Sequence, residues 1–205
     1  MKRSARVSVR VTVALCGFLL LSACSTFRLD RPFGSDERAT AVRVHSILNA
    51  RGGGIDPRAR IAIADVLMAA HRDHGIDPLL GLALIETESG FRPDAVSSVG
   101  ALGLLQVHPF VGRAVAAQIG VTWSDRNTLF DPVSNVRIGL AYLAEMKARF
   151  GRLDLALTAY NLGPNRLDQM LARGQQPQFA FSKTVLAKRA RLGLIQSEAI
   201  EVAGL

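Results

Sequence analysis

From Ser35 onward, apolar residues return with a helical period almost to the end of the chain. Val44, Ile47 and Leu48 share one side of a first segment, which Ser35 can cap and Gly52-Gly53-Gly54 ends. Three further helices open alike. An aspartate caps the free N–H groups, and a proline, whose missing N–H is of no consequence there, takes the first helical position. These are Asp56-Pro57, Asp77-Pro78 and Asp131-Pro132, with Gly75, Gly90 and Gly151 marking the corresponding ends. Residues 153–162, 164–173 and 179–192 read as three more helices. The stretch 78–89 carries Leu79, Leu80, Leu82, Leu84 and Ile85 on every side, the pattern of a helix surrounded by protein. Between Phe91 and Gly103 the period lapses into Pro, Ser and Gly, and Val96 and Val99 alternate too little for a sheet. The pattern predicts a compact all-α domain with one long loop wrapped over a cleft, and it contains no internal repeat.

Ahead of this pattern the chain is different. Lys2, Arg3, Arg6 and Arg10 precede an apolar run from Val11 to Leu21, the length of a signal-peptide core and short of the roughly 20 residues a membrane span needs. Leu21-Ser22-Ala23-Cys24 then resembles the lipobox of bacterial lipoproteins, in which the peptide is cut before the cysteine and the thiol is acylated. Two or three acyl chains give the double anchor that one chain does not. A chance cysteine after an ordinary cleavage site is the alternative. Cys16 would leave with the signal and Cys24 would carry lipid, so no thiol pair remains to staple the fold. Pro32 and Gly34 break the short tether that follows.

The formal charge of +8 shrinks once the four basic residues of the signal are removed: 21 Lys and Arg then face 17 Asp and Glu, a balance of +4. That mild bias suits an acidic wall polymer or lipid headgroups, and without an aromatic-basic patch nucleic acid is not an expected partner. His71 and His74 flank Asp73 at a helix end, where cationic side chains are favoured by the helix dipole, so no metal site is expected. The run Lys183, Lys188, Arg189, Arg191 reads as a solvated helix face, with an acidic polymer or lipid surface as the sharper alternative. Trp123, just past Gly120, reads as a core residue or a sugar platform.

Two acids stand near the end of the buried helix. At 100° per residue Glu88 shares a side with Gly81, Leu84 and Ile85, and Glu86 shares one with Leu79 and Leu82, so the two do not act as a pair. Burial and the partial negative charge of a helix C-terminus would both keep Glu88 protonated, as a general acid requires. Helix geometry alone leaves open a glutamate hydrogen-bonded in the core or exposed at a helix end, and it does not rank Glu88 above Glu86.

The loop does. Glu88-Ser89-Gly90-Phe91-Arg92-Pro93-Asp94-Ala95-Val96-Ser97-Ser98-Val99-Gly100-Ala101-Leu102-Gly103-Leu104-Leu105-Gln106-Val107-His108-Pro109 closely resembles the signature of soluble-type lytic transglycosylases, without a gap. Asp131-Pro132, Asn135-Val136, Gly139 and Tyr142-Leu143 resemble a second stretch of that family, and residues 159–164 a third. The resemblance covers residues 76–166, with a weaker continuation to Leu186. It implies a lysozyme-like helical domain that needs no cofactor and cleaves the β-1,4 bond between N-acetylmuramic acid and N-acetylglucosamine, leaving a 1,6-anhydro sugar. Glu88 would be first acid, then base.

The resemblance also implies substrate contacts for Ser97, Gln106, Tyr160 and Asn161, with the Tyr160 hydroxyl facing the Glu88 carboxyl. Gly100 and Gly103 would let the loop turn tightly. Leu105 stands where methionine is usual, His108 replaces a common cleft methionine and would line the sugar site, and Phe181 stands where tyrosine is frequent, able to stack on a sugar but not to donate. A hydrolysing muramidase would need a second carboxylate, for which Asp94 is the nearest candidate. A peptidoglycan-binding lipoprotein without catalysis is the alternative outside enzymes. The resulting division is residues 1–23 as signal, 24–35 as lipidated tether, 36–75 as an N-terminal helical segment, 76–192 as catalytic domain and 193–205 as tail. In a two-membrane host, Ser25 after the lipidated cysteine resembles the default for sorting to the outer membrane, facing the periplasm. The partners expected are glycan strands and a bilayer held through Cys24, while general wall turnover and service to a wall-spanning machine both remain open.

Overall fold

The three Asp-Pro pairs cap helices as their chemistry dictates. Asp56 Oδ1 accepts from the Arg58 N–H at 2.8 Å, Asp77 Oδ1 from Leu79 at 2.9 Å and Asp131 Oδ1 from Ser134 at 2.7 Å. They open α2 (Pro57–His74), α3 (Pro78–Glu88) and α5 (Pro132–Phe150). The remaining helices are α1 (Ser35–Arg51), α4 (Pro109–Ile119), α6 (Leu153–Leu162), α7 (Pro164–Ala172) and α8 (Ala180–Ala203). The computed structural model describes residues 34–203, with side chains described as far as Leu194. The signal segment, Cys16, Cys24, Ser25 and the tether up to residue 33 lie outside the described residues. No helix among the described residues is long and apolar enough to cross a membrane.

Three details differ from the sequence-based expectations. Gly34, not Ser35, occupies the N-cap of α1, and no side-chain bond caps that helix. Helix α4 has no counterpart among those expectations, although Pro109 at its first position and left-handed Gly120 at its end mark it plainly. Helix α8 continues past Leu192 and Gly193 to Ala203.

Helix α3 forms the middle of the domain. Every residue from Pro78 to Ile85 is buried, and the helix packs chiefly against α8, with α2 and α1 on its other sides. Helix α5 is the second organising element, in contact with α6, α2 and α4. The basic run on α8 is not a free solvated face. Arg189 pairs with Asp77 at 2.5 Å, Arg191 pairs with Glu86, and Lys188 Nζ donates to the Glu86 carbonyl at 3.1 Å. These bonds fasten α8 along α3.

The loop between α3 and α4 contains no strand but is closely held. Leu102 forms isolated antiparallel bridges with Val96 and with Val107. Asn135 of α5, fully buried, pins the far side: its amide donates to the carbonyls of Leu102 and Leu129, both at 2.9 Å, and its oxygen accepts the Leu105 N–H at 2.8 Å. That approach is possible only because residue 103 is glycine. A Cβ there would lie 2.3 Å from both the Asn135 amide nitrogen and the Leu129 carbonyl oxygen, and its φ of 74° suits no other residue well.

Candidate active site

Glu88 is the last residue of α3. Beyond it, buried Ser89 turns its hydroxyl back onto the Ile85 carbonyl at 3.2 Å, so the chain leaves the helix at a fixed angle. Gly90 and Phe91 then both adopt positive φ, 61° and 64°. For Phe91 this is a strained conformation, held by a ring that is 4% exposed in the core. The consequence is a carboxyl group placed by a buried helix at the edge of the core. Among the described residues no hydrogen bond or ion pair reaches it. Burial alone pushes the Glu88 carboxyl up from 4.5 to about 7.

Glu86, two residues earlier, has the opposite setting. Its carboxylate bridges Arg51 at the end of α1, at 2.7 Å, and Arg191 of α8. Its side chain is 15% exposed and fully engaged in joining three helices. The arrangement assigns it to architecture.

Tyr160 on α6 lies deep enough that burial, then the charge of Glu88, then Tyr142 all push its hydroxyl well above the ordinary tyrosine range. It remains a neutral donor. Its proton goes to the Leu105 carbonyl at 2.8 Å, which ties α6 to the loop, while its ring tilts against Tyr142 with centroids 5.3 Å apart. Gly139 on α5 makes room for this contact, since a Cβ there would come within 2.6 Å of Leu105 and 3.1 Å of the Tyr160 oxygen. Leu105 is therefore held from both ends, by Asn135 at its N–H and by Tyr160 at its carbonyl.

Gln106 follows with a positive φ of 45°, and its amide nitrogen donates to the carbonyls of Gly103 at 2.9 Å and Ala95 at 3.1 Å. The side chain thus braces the loop that follows Glu88. Gln106, His108, Tyr160 and exposed Asn161 are brought together around one cavity of about 190 Å³, whose walls also include Tyr142 and Phe110. Ser97 and Phe181 are not in this lining. The Ser97 oxygen accepts the Ala101 N–H at 2.9 Å within the loop, and Phe181 packs against the core in the first turn of α8. Asp94 is exposed on the loop and also lies outside the cavity lining. Trp123 packs over Gly112 of α4, where a Cβ would meet its ring at 2.9 Å, so it supports α4 from below the surface.

Three contributors are not legible in the sequence. Asn135 and Tyr142 stand within a recognised motif, but their work, pinning the loop and facing Tyr160, depends on contacts with distant residues. Phe110 gives no signal because an exposed aromatic residue adds nothing to a helical period. Among the described residues no group of three or more His, Cys, Asp or Glu side chains gathers as a metal site would require.

Comparison with known proteins agrees with this geometry. Residues 65–182 match the family model of the transglycosylase SLT domain, from within α2 to the first turn of α8. Membrane-bound lytic murein transglycosylase C of Salmonella typhimurium is 40% identical over 119 residues, covering 53% of this chain and 33% of the relative. A transglycosylase of Enterobacteria phage PRD1 is 36% identical over 102 residues, covering 50% of this chain and 35% of the relative. The chain therefore spans about a third of the length of these relatives. Among solved structures, an inactive glutamate-to-glutamine variant of lytic transglycosylase Slt from Pseudomonas aeruginosa superimposes with a TM-score of 0.58 at 26% identity, covering 79% of this chain and 29% of that one. The 70 kDa soluble lytic transglycosylase of Escherichia coli gives 0.57 at 21% identity, covering 78% and 30%, a likeness of fold. With more than half of its residues inside the family model, and a buried, unpaired glutamate at the head of the matching loop, the chain belongs to the transglycosylase SLT domain family.

Proposed function

We propose that this protein is a peptidoglycan lytic transglycosylase in which Glu88 is the only acid–base group. The observation that carries this reading is the setting of Glu88: a desolvated carboxyl with a pKa of about 7 and no charged partner, whose charge acts on Tyr160 in the wall of the cavity. At neutral pH such a group is present in both forms, which suits one residue serving twice. Protonated Glu88 donates to the glycosidic oxygen as the bond from muramyl C1 to that oxygen breaks. The resulting carboxylate then takes the proton of the muramyl C6 hydroxyl as that oxygen bonds to C1. Glu88 ends protonated again and no water is consumed. A hydrolysing enzyme would need a second carboxylate to act as nucleophile or to activate water. The only acid on the loop, Asp94, is exposed, and Glu86 is occupied by Arg51 and Arg191. The inactive glutamate-to-glutamine variant of the Pseudomonas aeruginosa relative supports dependence on a glutamate.

Ser97, Gln106, His108, Asn161 and Phe181 are proposed as substrate contacts, with Gln106 and Tyr160 also holding the loop and Leu105 in place. The membrane-bound character in the name of the Salmonella relative supports attachment of this chain to a membrane as well. We assign the attachment to acylated Cys24, with the domain, residues 76–192, facing the periplasm from the outer membrane. The test is to incubate purified sacculi with the wild type and with Glu88→Gln and to weigh the products. Anhydro-ended muropeptides from the wild type and none from the variant are expected. Anhydro products from both would overturn the role of Glu88, and water-added products from the wild type would overturn the mechanism.

A further inference from the structure

Two pairs of aromatic rings line the cavity, and one ring among them, Phe110, has no part in the machinery described above. Tyr142 and Tyr160 form the first. The second is His108 and Phe110, whose rings stack at 5.8 Å with planes 29° apart. Phe110 is 75% exposed, the most open of the large apolar side chains of the described residues, yet it sits on a rigid support. It occupies the first turn of α4, directly after Pro109, and α4 is anchored by buried Val115 and Ala116 and by Gly112 against Trp123. The His108 ring stacks against one face of it. An exposed single side chain is unremarkable in itself. Here it stands on an anchored helix and lines a cavity to which Gln106 and Asn161 also belong.

That combination has a chemical meaning. A pyranose ring has an apolar C–H face and a polar rim, and an aromatic face carries partial negative charge that attracts such C–H groups. A cavity with an aromatic wall and neighbouring amides offers something to each. We propose that Phe110, braced by His108, is a stacking wall for one N-acetylhexosamine ring of the glycan strand. This rests on the glycan-cleaving reading of the same cleft, which supplies the polymer.

The test uses the full chain carrying Glu88→Gln, so that strands stay intact, with Phe110→Ala or Phe110→Trp added. Binding is measured to peptide-free glycan strands and to strands that retain stem peptides. Because Phe110 is exposed, melting temperatures should be unchanged. Loss of the ring is expected to weaken binding to peptide-free strands about 5- to 10-fold, and Phe110→Trp to bind within about twofold of its parent. Trp123 is the only native tryptophan, so Phe110→Trp should also report binding through a fluorescence shift. Unchanged affinity of Phe110→Ala would overturn the proposal, as would a loss seen only with peptide-bearing strands, which would make the occupant a peptide. The two readings fail separately. Wild type that leaves no anhydro ends while Phe110→Ala still loses glycan binding would sink the chemistry and keep the wall. Normal cleavage with unaltered binding by Phe110→Ala would sink the wall alone.

Discussion

Glu86 and Glu88 stand two residues apart on one buried helix and have opposite fates. Glu86 faces α1 and α8, where Arg51 and Arg191 neutralise it and Lys188 takes its carbonyl. Glu88 has no cation beside it, its charge is felt by Tyr160, and burial lifts it to about 7. Residue type is the same and helix is the same. What separates a structural glutamate from a reactive one is the partner: a carboxylate bridged by two arginines is occupied in joining helices, and an unpaired, desolvated one keeps a mobile proton.

The contrast is put at risk first by the two substitutions to glutamine. Glu88→Gln keeps the shape and removes the proton, so the rate of anhydro-product release should fall by about 10³-fold or more, because one group supplies both proton transfers. The same change at Glu86 should leave that rate within a few-fold in protein that remains folded. Its cost should appear in denaturant unfolding, at about 1–2 kcal/mol, less than for a fully buried pair because both arginines are partly exposed. If Glu86→Gln loses activity while keeping its stability, the division of labour is wrong.

Next in size is Asn135→Ala, which leaves the Leu105 N–H and the Leu102 and Leu129 carbonyls without their buried partner. A destabilisation of about 2–4 kcal/mol is expected, with a lowered turnover because Leu105 no longer supports Tyr160. Urea unfolding measures the first and product release the second.

Titration offers a third test. Folding raises the Glu88 pKa from 4.5 to about 7, so the neutral form is the one the fold tolerates. Its relative contribution to stability is complete below the unfolded value and is lost as pH rises through about 7. Glu88→Gln does not titrate. The variant should therefore match the wild type at low pH and exceed it in alkaline solution by about 2 kcal/mol, a figure kept below the full shift because the side chain is only partly buried. Thermal melts across the pH range read this directly, and a constant difference would contradict it. The smallest effect belongs to Arg189→Ala, whose pair with Asp77 is largely exposed and should cost under about 1 kcal/mol.

What the sequence discloses and what it conceals follow from the range of the interactions involved. The Asp-Pro starts of α2, α3 and α5 are local chemistry and stand in the structure as the pattern predicts. Helix α4 is also local, with Val111, Val115 and Ile119 at four-residue intervals between Pro109 and Gly120, a short signal directly after the loop motif. The partners of Glu86 lie 35 and 105 residues away and those of Asn135 up to 33, distances at which periodicity is silent. The family resemblance selected Glu88 without explaining it. The explanation is tertiary: α8 and α1 bring cations to Glu86, and none of the described residues brings one to Glu88.

The claim that Glu88 is reactive because it is desolvated and unpaired comes down to one quantity. Carboxyl carbon chemical shifts, followed by NMR against pH in protein labelled at glutamate and assigned by Glu88→Gln, should give Glu88 a midpoint of about 7. A midpoint in the ordinary carboxylate range, near 4.5, would contradict it.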